Sequence, residues 1–181
     1  MFKKIQTRSN DILKFWKKES GGWAPKKAHN KLSQARIDWL IDLTDCLSIW
    51  DDKKTTLTDG ELILAYANLG ALVEGWLKLF YCVYYLDYIA NPTTNRQGHM
   101  IEPNDLKFES LKQFSRNILW NTNDTWDLWV TKIQQRRNAI HSFNDKEIGT
   151  PLEFIKDIEV FGQFVELIDE RFIYPDEIYG Y

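Results

Sequence analysis

The sequence contains little glycine, proline or cysteine. Its 181 residues include 9 Gly, 5 Pro and 2 Cys. So few turn-forming residues argue against a protein built from many short strands. Cys46 and Cys82 stand alone in apolar stretches, so we expect no disulfide framework and no cysteine-based metal cluster. A reducing cytoplasm is therefore the expected location.

The chain also lacks an overall positive charge. Its net charge is −3, which excludes a globally basic nucleic-acid binder. The charge is uneven, because residues 1–36 carry ten Lys or Arg and two acids, whereas residues 142–181 carry three and ten. Solvated helix faces produce such a distribution, and so does a local surface that contacts phosphates. Both interpretations remain open at this point.

Apolar and aromatic residues are abundant, at 44% and 14% of the sequence. This composition excludes a disordered chain and a simple coiled coil, and a chain of this size can bury its own core. Apolar positions recur every three or four residues, with no alternating pattern. The sequence therefore predicts an all-α fold, a single helical domain over residues 1–181 with about five helices.

The helix boundaries follow from apolar periodicity and from terminal residues. Capping boxes are predicted at Thr58 with Glu61 and at Thr150 with Glu153, and Asn123 and Asp124 are good N-caps. The predicted segments are Phe2 to Glu19 (ended by Gly21-Gly22), Leu32 to Trp50, Thr58 to Asn91, a short helix over Leu106 to Ile118, Asn123 to about Ser142, and Thr150 to Phe172.

The third segment is long and apolar enough to cross a bilayer, over Leu62 to Ile89. Glu74 and Lys78 lie near its middle with i,i+4 spacing, where ionised groups would be costly in lipid. We therefore expect a central helix of a soluble bundle and no membrane span. Glu74 and Lys78 are expected to pair inside the bundle or to line a cleft.

Standard enzymatic signatures are missing from the sequence. It has no phosphate-binding glycine loop, no G-x-S-x-G, no H-E-x-x-H and no Cys/His set with zinc spacing. His29 and His99 lie in polar stretches without neighbouring ligand types. No metal and no cofactor is therefore expected.

One polar segment stands out near the end of the fifth predicted helix. It contains Arg136, Arg137, Asn138 and His141 within six positions. Histidine transfers protons near neutral pH, and the arginine fork holds phosphate oxygens. Such a set suits metal-independent cleavage of RNA by its own 2′-hydroxyl. The alternative is a helix end whose cations meet the negative end of the helix dipole.

Arg136-x4-His141 resembles the R-x4–6-H motif of the HEPN superfamily (higher eukaryotes and prokaryotes nucleotide-binding). The context is similar as well, since a long helix precedes the motif and an amphipathic helix follows it. The resemblance covers residues 58–172, and residues 1–57 supply N-terminal helices. Family members commonly have a polar residue, often Asn, directly after the motif arginine. Here Arg137 separates Arg136 from Asn138, so Arg136 is favoured by spacing and Arg137 is its rival.

This resemblance implies a small all-α domain that acts as an endoribonuclease of a bacterial defence or toxin–antitoxin system. His141 would transfer the proton, Arg136 would stabilise charge on the phosphate, and Arg137 and Asn138 would orient the substrate. A homodimer would bring two such motifs to one cleft. The alternative is a non-catalytic HEPN-like interaction module that assembles with a partner such as a nucleotidyltransferase antitoxin.

Overall fold

The computed structural model describes residues 1–141 and 145–174 and shows an all-α helical bundle, as the sequence predicts. Within these residues the only bridges of β type are two isolated pairs, Thr94 with Met100 and Arg116 with Trp120. The α-helices are α1 (Phe2–Trp23), α2 (Lys26–Gln34), α3 (Ile37–Asp45), α4 (Leu47–Lys53), α5 (Asp59–Val83), α6 (Tyr85–Ala90), α7 (Phe108–Ser115), α8 (Thr125–Arg137) and α9 (Pro151–Asp169). Short 3₁₀ turns cover Lys54–Thr56, Pro103–Asp105 and Asn138–His141.

Helix α5 is the centre of the bundle, and α2, α3, α7, α8 and α9 pack around it. Its N-terminus has the expected capping box, in which Thr58 and Glu61 bond each other's backbone amides. By length and composition α5 could cross a membrane, yet 61% of its most apolar window is buried among the other helices. This burial is what the core helix of a soluble protein shows.

The prediction of one helix from Thr58 to Asn91 is wrong at Tyr84. There the backbone leaves the helical region with φ −91° and ψ 39°, so α5 ends at Val83 and α6 begins at Tyr85. The break lets the Tyr84 hydroxyl donate to the carbonyl of Arg171, beyond the end of α9. Tertiary contacts of aromatic side chains therefore override the local helical pattern here.

The N-terminal boundaries also differ from the prediction. Helix α1 continues through Gly21-Gly22 and ends just before Ala24-Pro25, because the residue before a proline is driven out of the helical region. The predicted helix over Leu32 to Trp50 is three helices, since Ala35 is extended at ψ 143° and Cys46 separates α3 from α4. Cys46 and Cys82 are free thiols, as expected.

The later elements follow the prediction more closely. Asp124 caps α8, and Thr150 with Glu153 forms the second capping box at α9. The α-helix stops at Arg137, the 3₁₀ turn extends to His141, and the predicted end at Ser142 lies outside the described residues. Ile118 and Ile140, which are apolar residues near the ends of two predicted helices, are exposed.

Gly70 allows α5 and α8 to approach closely beside the polar segment. A Cβ built on Gly70 would lie 2.5 Å from Cβ of Arg137, which is nearer than real contacts allow. Gly60, in the first turn of the same helix, has no atom within 4 Å of such a Cβ. The two glycines therefore separate the effect of helix packing from the effect of helix propensity.

We predict opposite effects for alanine at these two positions. Gly70→Ala should lower the free energy of unfolding, because overpacking costs about 1–3 kcal/mol and outweighs the gain in helix propensity. Gly60→Ala should leave stability unchanged or raise it by up to about 1 kcal/mol. Urea unfolding followed by circular dichroism measures both, and a stabilising Gly70→Ala would contradict the close packing.

Candidate functional site

Arg136 lies in the interior of the bundle, although it is cationic. It is only 5% exposed, and its guanidinium packs over the Tyr66 ring at 5.0 Å. One terminal nitrogen donates to the Tyr66 hydroxyl and to Asp157 at 3.2 Å, and the other donates to Glu153 at 2.9 Å. The donors on which a phosphate would depend are thus occupied by residues of α5 and α9.

Asp157 is the acceptor at the centre of this interior cluster, and it is 1% exposed. Its two carboxylate oxygens accept from the Tyr66 hydroxyl at 2.8 Å, the Trp129 indole at 3.0 Å, Arg136 and the Lys132 ammonium. Burial raises the pKa of Tyr66, so its hydroxyl keeps its proton and donates to the carboxylate. Asp157 therefore connects α5, α8 and α9.

The loop before α9 closes over Arg136. Gly149 has φ +76°, and a Cβ there would lie 2.5 Å from the Arg136 guanidinium carbon. Burial opposes the charge of Arg136, but the hydrogen bonds to Glu153 and Tyr66 outweigh it and raise the pKa of Arg136. The same ion pair lowers the pKa of Glu153. Arg136 is accordingly a structural cation in this bundle.

The Arg137 side chain, unlike that of Arg136, lies along the surface of α5. Its Cβ and Cγ cover Gly70, and its guanidinium donates to Glu74 at 3.2 Å and to Asn138 at 3.2 Å. Its side chain is 33% exposed. Glu74 also pairs with Lys78 at 2.9 Å, as expected, but the two side chains are partly exposed and the pair does not lie in the bundle interior. One carboxylate thus holds two cations at the surface.

The 3₁₀ turn places the remaining polar residues beside Arg137. Side chains three residues apart eclipse in a 3₁₀ helix, which puts Asn138 and His141 on one side of the turn. Both are exposed, whereas Ala139 between them is buried against the bundle. The His141 side chain makes no hydrogen bond or ion pair with any described residue. Its imidazole is therefore open to a ligand.

The structure thus groups five of the six predicted site residues at one surface and separates the sixth. Arg137 contacts Glu74 and Asn138, while Arg136 faces the interior. The sequence interpretation did not single out Asp157 or Tyr66. A signal was present for Asp157, because it stands in the apolar stripe of α9 between Phe154 and Ile158.

Metal ligands are not gathered at this surface. In residues 1–141 and 145–174, no group of three or more His, Cys, Asp or Glu side chains could hold a metal ion. The chemistry open to the surface is proton transfer by His141 and charge stabilisation by Arg137.

Similarity to known proteins does not indicate the function of this chain. No family model, curated protein or solved structure matches this chain. The HEPN-like motif from Arg136 to His141 therefore stays a resemblance, and function has to be argued from the site itself.

We predict that Asp157→Asn is strongly destabilising. The amide leaves the buried Arg136 guanidinium with only the exposed carboxylates of Glu153 and Glu147 to neutralise it, and breaking a buried ion pair in this way costs about 3–5 kcal/mol. Denaturant unfolding should show this loss. Glu159→Gln is the matched control, since Glu159 is exposed on the same helix and should change stability by less than about 0.5 kcal/mol. Equal effects of the two variants would contradict a central role of Asp157.

The ion pair of Glu153 with Arg136 should make stability depend on pH. Because the folded protein lowers the pKa of Glu153, its contribution is complete above the ordinary glutamate value and is lost as the pH falls through the lowered value. Glu153→Gln should therefore be less stable than the wild type at pH 7, and the gap should close in acid. Unfolding curves from pH 7 down to pH 3 measure this gap, and a gap that widens in acid would refute the pairing.

Proposed function

We propose that the chain is a metal-independent endoribonuclease whose site is formed by Arg137, Asn138 and His141. One observation carries this proposal: the 3₁₀ turn presents Asn138 and His141 on one exposed side, and Asn138 accepts a hydrogen bond from the guanidinium of Arg137. The motif spacing favours Arg136 as the phosphate-binding arginine, but we assign that role to Arg137. Arg136 instead holds α8 in place.

The reaction uses only protons and a charge. The 2′-hydroxyl of the RNA attacks the adjacent phosphorus, the bond from phosphorus to the 5′-oxygen breaks, and a 2′,3′-cyclic phosphate forms. A neutral imidazole accepts the 2′-hydroxyl proton, and an imidazolium gives a proton to the leaving 5′-oxygen. Arg137 stabilises the charge that develops on the phosphoryl oxygens.

A homodimer would supply both histidine roles at once. One His141 per chain can act as the base, and His141 of a second copy can act as the acid in a shared cleft. Two exposed apolar side chains belong to this part of the chain, Ile140 within the turn and Leu152 in the first turn of α9. Their exposure supports an interface between copies at this end of the bundle.

The positive charge of the N-terminal region supports binding of a polyanion such as RNA. The outer face of α1 presents exposed lysines, while its apolar face packs on α3 and α9. Four of them, Lys3, Lys4, Lys14 and Lys17, make no ion pair with any described residue. A cationic face of this kind attracts a phosphate backbone without sequence preference.

A second candidate function is a non-catalytic interaction module of a defence or toxin–antitoxin system. The interior position of Arg136 favours it, because the residue that the motif spacing selects is not available to a phosphate. In that case the exposed surface around His141 would serve assembly with a partner such as a nucleotidyltransferase antitoxin.

RNA cleavage distinguishes the two functions. The purified protein should cleave single-stranded RNA in the presence of EDTA and leave 2′,3′-cyclic phosphate ends. His141→Ala should lower the rate by about 10²–10⁴-fold, because the proton-transfer group is removed. Arg137→Ala should lower it by at least about 10²-fold through loss of charge stabilisation. Gel analysis of a labelled RNA and mass spectrometry of its ends provide the readout.

Matched controls come from the loop after α6. Arg96→Ala and His99→Ala remove the same side-chain types from exposed positions and should leave the rate unchanged. His141→Ala should unfold at the temperature of the wild type, and Arg137→Ala within a few degrees of it. Cleavage that survives His141→Ala, or a wild type without activity on any RNA, would refute catalysis and leave the interaction module.

A further inference from the structure

A cavity of about 360 Å³ lies between α3 and α5, one turn beyond Glu74. This volume is within the range of sites for small ligands. Gly75 and Leu79 of α5 line it together with Ile37 and Leu40 of α3, and Leu40 packs directly against Gly75. The walls are apolar, so the cavity suits a flat, weakly hydrated group.

Trp39 at the mouth of this cavity is the most unusual of the lining residues. It is 57% exposed, although exposure of an indole to water is unfavourable. The Arg36 guanidinium lies over the ring at 3.9 Å, and Asp38 holds Arg36 in place through two hydrogen bonds. The arginine covers part of the indole and the remainder is open. A pre-oriented pair of an indole and a guanidinium is a stacking surface for a nucleobase.

Polar groups stand around the apolar walls. The Asn104 carbonyl oxygen accepts from the Cys82 thiol at 2.9 Å, and its amide nitrogen donates to no described residue. Burial raises the pKa of Cys82 to about 12, so the thiol is neutral and adds no negative charge to the cavity. An unused amide donor beside an uncharged wall suits the ring nitrogens or carbonyl oxygens of a base.

Lys78 connects the cavity with the surface described above. It lines the cavity, and its ammonium pairs with Glu74, the carboxylate that also holds Arg137. The ammonium of Lys78 and the guanidinium of Arg137 therefore lie one after the other along α5, between the cavity and the 3₁₀ turn. A phosphodiester chain with one base in the cavity would pass these cations before it reached His141.

We propose that this cavity binds the base of a nucleotide, stacked on Trp39, with its phosphate at Lys78. The base could belong to a free nucleotide or to single-stranded RNA; only the second source rests on the proposed ribonuclease function. Placing a base at a fixed distance from His141 would select the phosphodiester to be cut. The combination of an exposed indole, a stacked guanidinium and a lysine favours a nucleotide over an apolar peptide side chain.

Calorimetric titration with nucleoside 5′-monophosphates tests the cavity without any need for cleavage. At least one of adenosine, guanosine, cytidine and uridine 5′-monophosphate should bind to the intact protein. Trp39→Ala should weaken that binding by about 10-fold or more, in line with loss of one stacked base, whereas Trp39→Phe should retain most of it. Ile49→Ala, an exposed apolar residue on α4, is the matched control and should bind as the wild type does.

The phosphate contact is tested separately. Lys78→Gln should weaken binding of the monophosphate and leave binding of the uncharged nucleoside unchanged. Lys53→Gln is its control, because Lys53 forms a comparable surface pair with Glu61. Thermal unfolding should confirm that the substitutions at Trp39, Ile49, Lys78 and Lys53 leave the fold intact, because these side chains lie at the surface.

A competition experiment determines whether the bound base belongs to a free nucleotide or to single-stranded RNA. A single-stranded oligoribonucleotide should displace the bound monophosphate from His141→Ala protein if the cavity takes a base of RNA, and should fail to do so if it takes only a free nucleotide. No binding of any monophosphate, or binding that Trp39→Ala leaves unchanged, overturns the proposal even if RNA is cleaved. Trp39-dependent binding without RNA cleavage supports the cavity and refutes the ribonuclease.

Discussion

The buried carboxylate of Asp157 is the interaction on which the rest of the structure depends. It accepts from Tyr66 on α5 and from Trp129, Lys132 and Arg136 on α8, and it is itself part of α9. A carboxylate in this position would be costly without such donors, and the buried guanidinium of Arg136 would be costly without it. The three helices therefore have one relative position in which every charged group is satisfied.

This constraint decides which residues reach the surface. With Arg136 fixed inside, the next residue along α8 must leave the interior, and Arg137 lies over Gly70 towards Glu74. The chain then tightens into a 3₁₀ turn that buries Ala139 and exposes Asn138 and His141. Which residues form the proposed site thus follows from how the charges of Asp157 and Arg136 neutralise each other in the interior.

Features that depend on neighbouring residues could be predicted from the sequence. The capping boxes at Thr58 and Thr150, the N-cap at Asp124 and the pairing of Glu74 with Lys78 all act over three or four positions. The helical pattern likewise indicated the fold class, because apolar periodicity reflects the buried face of each helix.

Features that depend on distant residues could not be predicted in this way. The break at Tyr84 coincides with a hydrogen bond to Arg171, 87 positions away, and Arg136 meets Tyr66 across 70 positions. Motif spacing therefore favoured Arg136 for the site, while the packing of three helices brings Arg137 to the surface. The cavity beside Trp39 is also formed by separate helices, so no local pattern marks it.

The division of the two arginines between interior and site is tested most directly by the free energy of unfolding of Arg136→Gln compared with that of Arg137→Gln. Arg136→Gln should lose about 3–5 kcal/mol, because Asp157 loses a buried cation. Arg137→Gln should lose no more than about 1 kcal/mol, because its ion pair is partly exposed and Lys78 still neutralises Glu74. Equal losses, or a larger loss for Arg137→Gln, would contradict the division of the two arginines between interior and site.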